Sequence, residues 1–357
     1  MSLRFRRHKL AVGALFVLLF LYLCAAFSEV IAPQDVSRRN LDYAYCPPHR
    51  IGFSFGKGGL YAKGLRQVVN QETLGKSYEP DPGRDVPLGW FVRGDSYHFW
   101  GLFEGDLHLF GIDWGGVDLS GEQSKADYAF YFVGADQYGR DIMSRIVAGA
   151  RISLSVGLVG IAVAFFLGMV FGGISGYVGG KTDTILQRII EIINSFPRLP
   201  MWLALGAAIP GHWSPLKGYF MITVVLSLLS WTSLARVIRG KILSLREEDY
   251  AMAAKLLGAT DRRIIFRHLL PGFTSHIIVS LSLAIPGMVL GETSLSFLGL
   301  GLRPPLVSWG VLLQDCMDIK AVSYYPWLMA PVVALVLTVL CFNFVGDGLR
   351  DAADPYS

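Results

Sequence analysis

The sequence predicts an all-α membrane protein: six transmembrane helices with both termini cytoplasmic, and a small extracytoplasmic insertion between helices 1 and 2. Three observations predict it. Of the 357 residues 52% are hydrophobic and only 17% charged, against roughly 25% charged in a soluble domain. The apolar residues fall in long runs, and a hydrocarbon core about 30 Å thick requires about 20 such residues per helix. These runs are continuous and do not alternate, which disfavours a closed barrel, the other structure that satisfies backbone polar groups in lipid. The net charge of +4 matters less than where each Lys and Arg falls.

Residues 10–27 form the first run, behind Arg4, Arg6, Arg7, His8 and Lys9. That opening resembles a signal peptide, but the run exceeds the usual core of about 7 to 15 residues, and Ser28-Glu29-Val30 is no A-x-A cleavage site. It is therefore read as a retained helix, which makes residues 1–31 a cytoplasmic N-terminus plus helix 1. Residues 32–151 turn polar and lie outside. Trp90, Phe91, Tyr97, Phe99, Trp100, Phe103 and Phe110 are dense there, and partial alternation over 97–111 suggests short strands in a small folded subdomain.

Residues 152–357 form the remaining core, helices 2 to 6. The run 152–180 has no charge and places Gly157, Gly160, Ala164, Gly168 and Gly172 three or four apart. That spacing lines one helix face with small residues and lets another backbone approach. Gly176 and Gly180 are assigned instead to a turn. The third span, 185–210, contains Glu191, Pro197, Arg198 and Pro200, so a break near Phe196 is expected. Spans four, five and six are 219–235, 277–300 and 327–345. Segment 236–275 holds Arg236, Arg239, Lys241, Arg246, Lys255, Arg262, Arg263 and Arg267, whereas the loops after spans three and five hold only Lys217, Arg303 and Lys320. Six spans with both ends inside satisfy the positive-inside bias.

Segment 236–275 contains two short helices around a turn. Glu248 and Asp249 suit the first helix's N-terminus, Gly258 a left-handed C-terminal position, Thr260 or Asp261 a second cap, and Pro271 a stop. Ala251, Ala254 and Gly258 leave one face nearly bare, which is expected to permit close docking into a groove on another protein.

Here the residues reach a resemblance. Ala253-Ala254, three residues, Gly258, then Leu270-Pro271 resembles the EAA loop of bacterial ABC importer permeases, in which a short helix fits a cleft on the ATP-hydrolysing subunit. Met252 stands where that motif has glutamate, and His268 where it often has isoleucine. The stretches Gly134-Ala135-Asp136-Gln137-Tyr138-Gly139-Arg140-Asp141, Glu292-Thr293-Ser294-Leu295-Ser296-Phe297, Ser308-Trp309-Gly310 and Gly346-Asp347-Gly348-Leu349-Arg350-Asp351 resemble the second, C-type permease of the dipeptide and oligopeptide importers. Region 32–131 is left as an enlarged insertion that shorter relatives lack. The resemblance implies a heterodimer with a second permease, two cytoplasmic ATPase subunits that bind the ATP and Mg²⁺, a periplasmic solute-binding protein, and residence in the bacterial inner membrane. It assigns ATPase coupling to Glu248, Asp249, Ala251, Met252, Ala253, Ala254, Gly258, Leu270 and Pro271. This chain is expected to bind no cofactor, metal or nucleic acid and to hold no catalytic residue.

Blander readings cover the rest. Gly56-Lys57-Gly58 lacks the spacing of a phosphate loop. His212 and His276 lack companions at metal-ligand spacing. Ser294 and Ser296 have no His in register for a membrane-embedded hydrolase. Glu191 and Glu292 read as structural charges near helix ends, Asp136, Arg140 and Asp141 as an interfacial helix start, and Asp347, Arg350 and Asp351 as a solvated or capping cluster. Cys24 and Cys341 lie in apolar runs, while Cys46 and Cys316 fall outside, where a disulfide is allowed. An ion-coupled secondary transporter would carry inverted repeats, and none is evident. Peptides lead as solute; oligosaccharides, opines and nickel chelates remain alternatives.

Overall fold

In a computed structural model of the chain, the structure describes residues 2–54, 59–69, 76–117, 125 and 128–353. Gly56-Lys57-Gly58 lie outside the described residues. The helices are α1 (Ser2–Phe5), α2 (Lys9–Ala26), α3 (Ser28–Ile31), α4 (Ile142–Val178), α5 (Gly180–Ser195), α6 (Arg198–Ala207), α7 (Pro215–Leu245), α8 (Asp249–Leu256), α9 (Asp261–Arg263), α10 (Thr274–Phe297), α11 (Trp309–Leu313), α12 (Ile319–Tyr324) and α13 (Ala330–Ala353). The strands are β1 (Ile51–Ser54), β2 (Gly59–Ala62), β3 (Leu65–Val69), β4 (Lys76–Pro80), β5 (Val86–Phe99) and β6 (Phe103–Ile112).

Among the described residues, 5 helices are long and apolar enough to cross a membrane: Lys9–Ala26, Ile142–Val178, Pro215–Leu245, Arg267–Phe297 and Pro326–Ala353. The expected third crossing takes another form. Residues 180–207 make two helices, α5 of 16 and α6 of 10 residues, separated at Phe196 and Pro197. Pro197 lacks the N–H an unbroken helix needs and disfavours helical geometry at Phe196. Several helices also outrun their apolar cores. α4 starts ahead of residue 152 because Asp141 caps it, its Oδ2 accepting the Ser144 amide at 2.7 Å.

The chain divides into two compact units. One comprises Met1–Leu19, Leu154–Leu302 and Leu337–Ser357; the other comprises Phe20–Ser153 and Arg303–Val336. In the first, the small-residue face of α4 packs on α7 and α10. A Cβ at Gly157 would lie 2.9 Å from Val289 Cγ2, at Gly168 2.9 Å from Leu234 Cβ, and at Gly172 2.5 Å from the Ala235 carbonyl oxygen. Ala164 is fully buried. The approach is close enough for Ser227 Oγ to donate to Gly160 O at 2.9 Å. Gly176 belongs to this stripe rather than to the turn, since its Cβ would meet Arg239 O at 2.8 Å. The turn lies at Gly179 and Gly180, whose φ angles are +70° and +57°.

In the second unit the insertion is β structure. An antiparallel sheet of order β1-β2-β5-β6 stands beside the hairpin β3-β4. Ala62, Val86, Leu88, Ile112, Tyr128 and Phe130 form the sheet's core. Tyr43, Cys46, Ala129, Tyr131 and Ala135 form a second cluster. The alternation read over 97–111 is the β5–β6 pairing, from Leu88 opposite Ile112 to Phe99 opposite Phe103.

Candidate functional site

The segment after α7 is the hairpin the sequence expects. Glu248 is the N-cap position of α8, with Asp249 in its first turn. At the other end Gly258 takes φ +78°. Its N–H donates to Lys255 O at 3.0 Å, and the Ala259 N–H donates to Ala254 O at 3.1 Å, the paired bonds of a Schellman stop. Thr260, rather than Asp261, caps α9, its side chain accepting from the Arg263 N–H. A π-turn (Ile264–Leu269) and a 3-10 turn (Leu270–Phe273) then lead into α10.

The bare face points the other way from expectation. Ala251 and Ala254 are buried in one cluster with Ile238 and Ile242 of α7 and with Ile264, Leu269, Phe273 and Ile277. The small side chains let α8 lie close to the chain's own helices. They do not form an open docking face. Outward stand Asp249, Tyr250, Met252, Ala253 and Lys255, with Leu256 and Leu257 at 89% and 87% exposure. Leu270 is half-buried and Pro271 exposed. Met252, where the motif has glutamate, thus adds to an apolar outer surface. A sequence signal for it existed in the adjacent Leu256-Leu257, which a one-sided amphipathic helix does not need.

The hairpin is tied to the helices around it. Tyr177 at the end of α4 donates its hydroxyl to Asp261 at 2.9 Å. Arg246 donates to Gly176 O at 3.2 Å. Arg239 grips Asp183 through two bonds of 2.6 and 2.5 Å. Bidentate Arg–carboxylate pairs fix geometry as well as charge, so α4, α5, α7 and the hairpin are joined at one end.

A cavity of about 370 Å³ opens beside the α5–α6 break. Arg198, Trp202, Ser230, Ser233, Ser280 and Met288 are among its lining residues. The break places Arg198 at the first position of α6, where its Nη2 donates to Ser233 Oγ at 2.8 Å. Trp202 Nε1 is buried with no hydrogen-bond partner among the described residues. The break is legible at Pro197, whereas the cavity needs residues from α6, α7 and α10 together. Its one signal in the sequence is Arg198 inside an apolar run, which is costly in lipid and so points to a polar lining.

Several other ionisable residues have structural partners. Asp136 accepts from Arg140 Nε at 2.7 Å and from the Arg145 guanidinium. Glu292 is fully buried in the penultimate turn of α10 rather than at its end, and accepts from Ser296 Oγ at 2.8 Å; Ser296 Oγ in turn accepts the Leu302 N–H at 3.0 Å. Glu191 pairs with Arg188 at 2.8 Å on the surface. Asp351 lies 3.8 Å from His8. Ser308 caps α11 and leads to fully buried Trp309, whose Nε1 donates to Ile146 O. Cys24, Cys46, Cys316 and Cys341 are free thiols. Among the described residues no group of three or more His, Cys, Asp or Glu is placed to hold a metal ion.

Comparison with known proteins adds a family. Residues 168–356 match the family described as "Binding-protein-dependent transport system inner membrane component". Residues 1–48 match "N-terminal TM domain of oligopeptide transport permease C". The chain is 43% identical over 227 residues to the oligopeptide transport system permease protein OppC of Haemophilus influenzae, covering 63% of this chain and 70% of that protein. It is 39% identical to the OppC of Bacillus subtilis, covering 63% and 72%. With the dipeptide transport system permease protein DppC of Lactococcus lactis it shares 31% identity over 99% of this chain and 88% of that protein. That last match runs through the insertion.

Proposed function

The chain belongs to the binding-protein-dependent transport system inner membrane components, and on that premise we propose that it is the C-type permease of a peptide importer whose outward-facing α8 surface receives the ATPase. As an ABC-importer permease it is a multi-pass inner-membrane protein that works with ATPase and membrane partner subunits and hydrolyses no ATP itself. Peptide as the solute is supported by the oligopeptide and dipeptide permeases to which the chain is similar. In this reading α5 and α6 together complete a sixth crossing, the charge-rich 236–275 loop is cytoplasmic, and a second permease and a solute-binding protein complete the machine. ATP and Mg²⁺ reside on the ATPases. The cavity at Arg198 is one wall of the solute path.

One observation carries the coupling assignment: Leu256 and Leu257 are almost fully exposed on a hairpin whose other face is locked into α7. Exposed apolar pairs of this kind mark protein contacts, and a partner gripping this face moves α7 and α10 as rigid levers. The test is Leu256→Asp with Leu257→Asp in the assembled importer. Both side chains are exposed, so the chain's melting point should change little, while ATP-driven uptake of labelled peptide falls at least tenfold and less ATPase co-purifies. Uptake at the parental rate would exclude this surface as the docking face.

A further inference from the structure

The β5–β6 hairpin ends in an uncharged tip, Phe99-Trp100-Gly101-Leu102-Phe103. Trp100, Leu102 and Phe103 are 56%, 75% and 69% exposed. Turns of soluble hairpins favour Gly, Asn, Asp and Ser, and a contiguous apolar patch marks an interaction site.

Contacts within the same unit fix where this tip stands. Trp100 Nε1 donates to Ala26 O, the last residue of α2, at 3.0 Å. Phe99 stacks on Phe27 with ring centroids 5.8 Å apart. The Arg151 guanidinium lies 4.3 Å from the Trp100 ring centroid and also donates to Ala25 O and Ala26 O, each at 3.0 Å. Glu29 holds that arginine through two bonds of 2.6 Å. One arginine therefore satisfies the open carbonyls at the end of α2 and carries the indole of the tip.

The end of α2 is a depth marker. Its 18 residues span about 27 Å at 1.5 Å per residue, close to the hydrocarbon thickness of about 30 Å. A tip bonded to its last residue lies at the edge of the hydrocarbon. On the same stretch Phe20, Leu23 and Phe27, three and four residues apart, are 64%, 49% and 47% exposed, a stripe facing outward from a membrane helix. Phe27 joins that stripe to Phe99, so the tip continues the exposed apolar surface at the end of α2. Tryptophan at this level, with its N–H bonded and its ring beside an arginine, follows the interfacial aromatic pattern of membrane proteins.

We propose that Trp100, Leu102 and Phe103 form a membrane-interface anchor, dipping into the boundary between headgroups and acyl chains in the leaflet that faces the insertion, so that the partner of this patch is phospholipid. The experiment uses the assembled importer in nanodiscs of phosphatidylethanolamine and phosphatidylglycerol, with Phe103→p-benzoylphenylalanine in one preparation and Leu102→p-benzoylphenylalanine in another. Illumination should add the mass of one phospholipid to this chain from both positions. Adding Leu102→Asp to the Phe103 preparation should lower that adduct several-fold. A cross-link to the second permease or the solute-binding protein in place of lipid overturns the proposal, as does the absence of a lipid adduct from both positions.

Discussion

Asp136 and Asp141 sit five residues apart at the start of α4, with opposite consequences for stability. Asp136, 1% exposed, gathers Arg140, Arg145 and the amides of Tyr138 and Arg140 at 2.8 and 3.0 Å, so its charge is compensated. Asp141 is also buried, but only its Oδ2 is served, by the Ser144 amide and hydroxyl; Oδ1 has no hydrogen-bond partner among the described residues. Burial pushes the Asp141 carboxyl up to about 6, the Ser144 bonds notwithstanding. A folded-state value above the unfolded 3.8 means that the protonated form favours the fold. That contribution is complete below about pH 3.8 and is lost as pH rises through about 6, by roughly 3 kcal/mol. Asp141→Asn keeps an N-cap acceptor and removes the titration. The variant should therefore melt above the parent at pH 7 and near it at pH 4, measured on purified protein. Asp315, raised by burial as well, contributes to both proteins and cancels in the difference. A difference independent of pH would show that Asp141 does not titrate in this range.

At the scale of elements, the α4–α7 contact offers a built-in control. Adding a Cβ at Gly172 forces it to 2.5 Å from Ala235 O, a backbone atom that cannot swing away, whereas at Gly173 the nearest atom is the Ile242 Cδ1 at 4.0 Å. Gly172→Ala should thus destabilise by about 1–3 kcal/mol in a detergent-unfolding titration, and Gly173→Ala should be neutral to slightly stabilising. Equal effects at both would mean that the helices tolerate separation. The same contact explains what was legible beforehand. Small residues three and four apart reveal a face but not its partner. On α4 the spacing marks a face through Gly172, and the close approach continues a turn further to Gly176; a packing glycine and a turn glycine look alike in sequence. On α8 the same spacing faces inward, and its sequence does not show this because the residues that claim Ala251 and Ala254 include Ile238 and Leu269, on separate elements. Pro197 acts locally, so the break it makes is legible from its own neighbours.

Over the whole molecule, apolar run length marks the five long apolar helices because hydropathy is a sum over neighbours in sequence. Strands β1 to β4 carry no such signal, being four or five residues long and set by pairings such as Leu65 with Pro80. Residues 45–49 belong with the α4 leader: Tyr45 N–H donates to Asp136 O at 2.9 Å, Ala135 N–H to Cys46 O at 2.8 Å, and His49 N–H to Tyr131 O at 2.9 Å. Burial pushes the His49 imidazole down to about 4, so it stays neutral in that brace at physiological pH. A deletion meant to test the insertion should spare this brace and remove 51–124, with Tyr128→Ser and Phe130→Ser to replace side chains the sheet covers. The five long apolar helices all lie outside that cut, and insertion follows hydropathy, so the shortened chain should reach the membrane at parental levels. Peptide uptake should fall, because the cut removes the β5–β6 tip along with the rest of the sheet. Uptake at the full parental rate would leave the sheet without an essential part in transport, whereas loss of the chain from the membrane fraction would show that the α4 leader depends on the sheet for its fold.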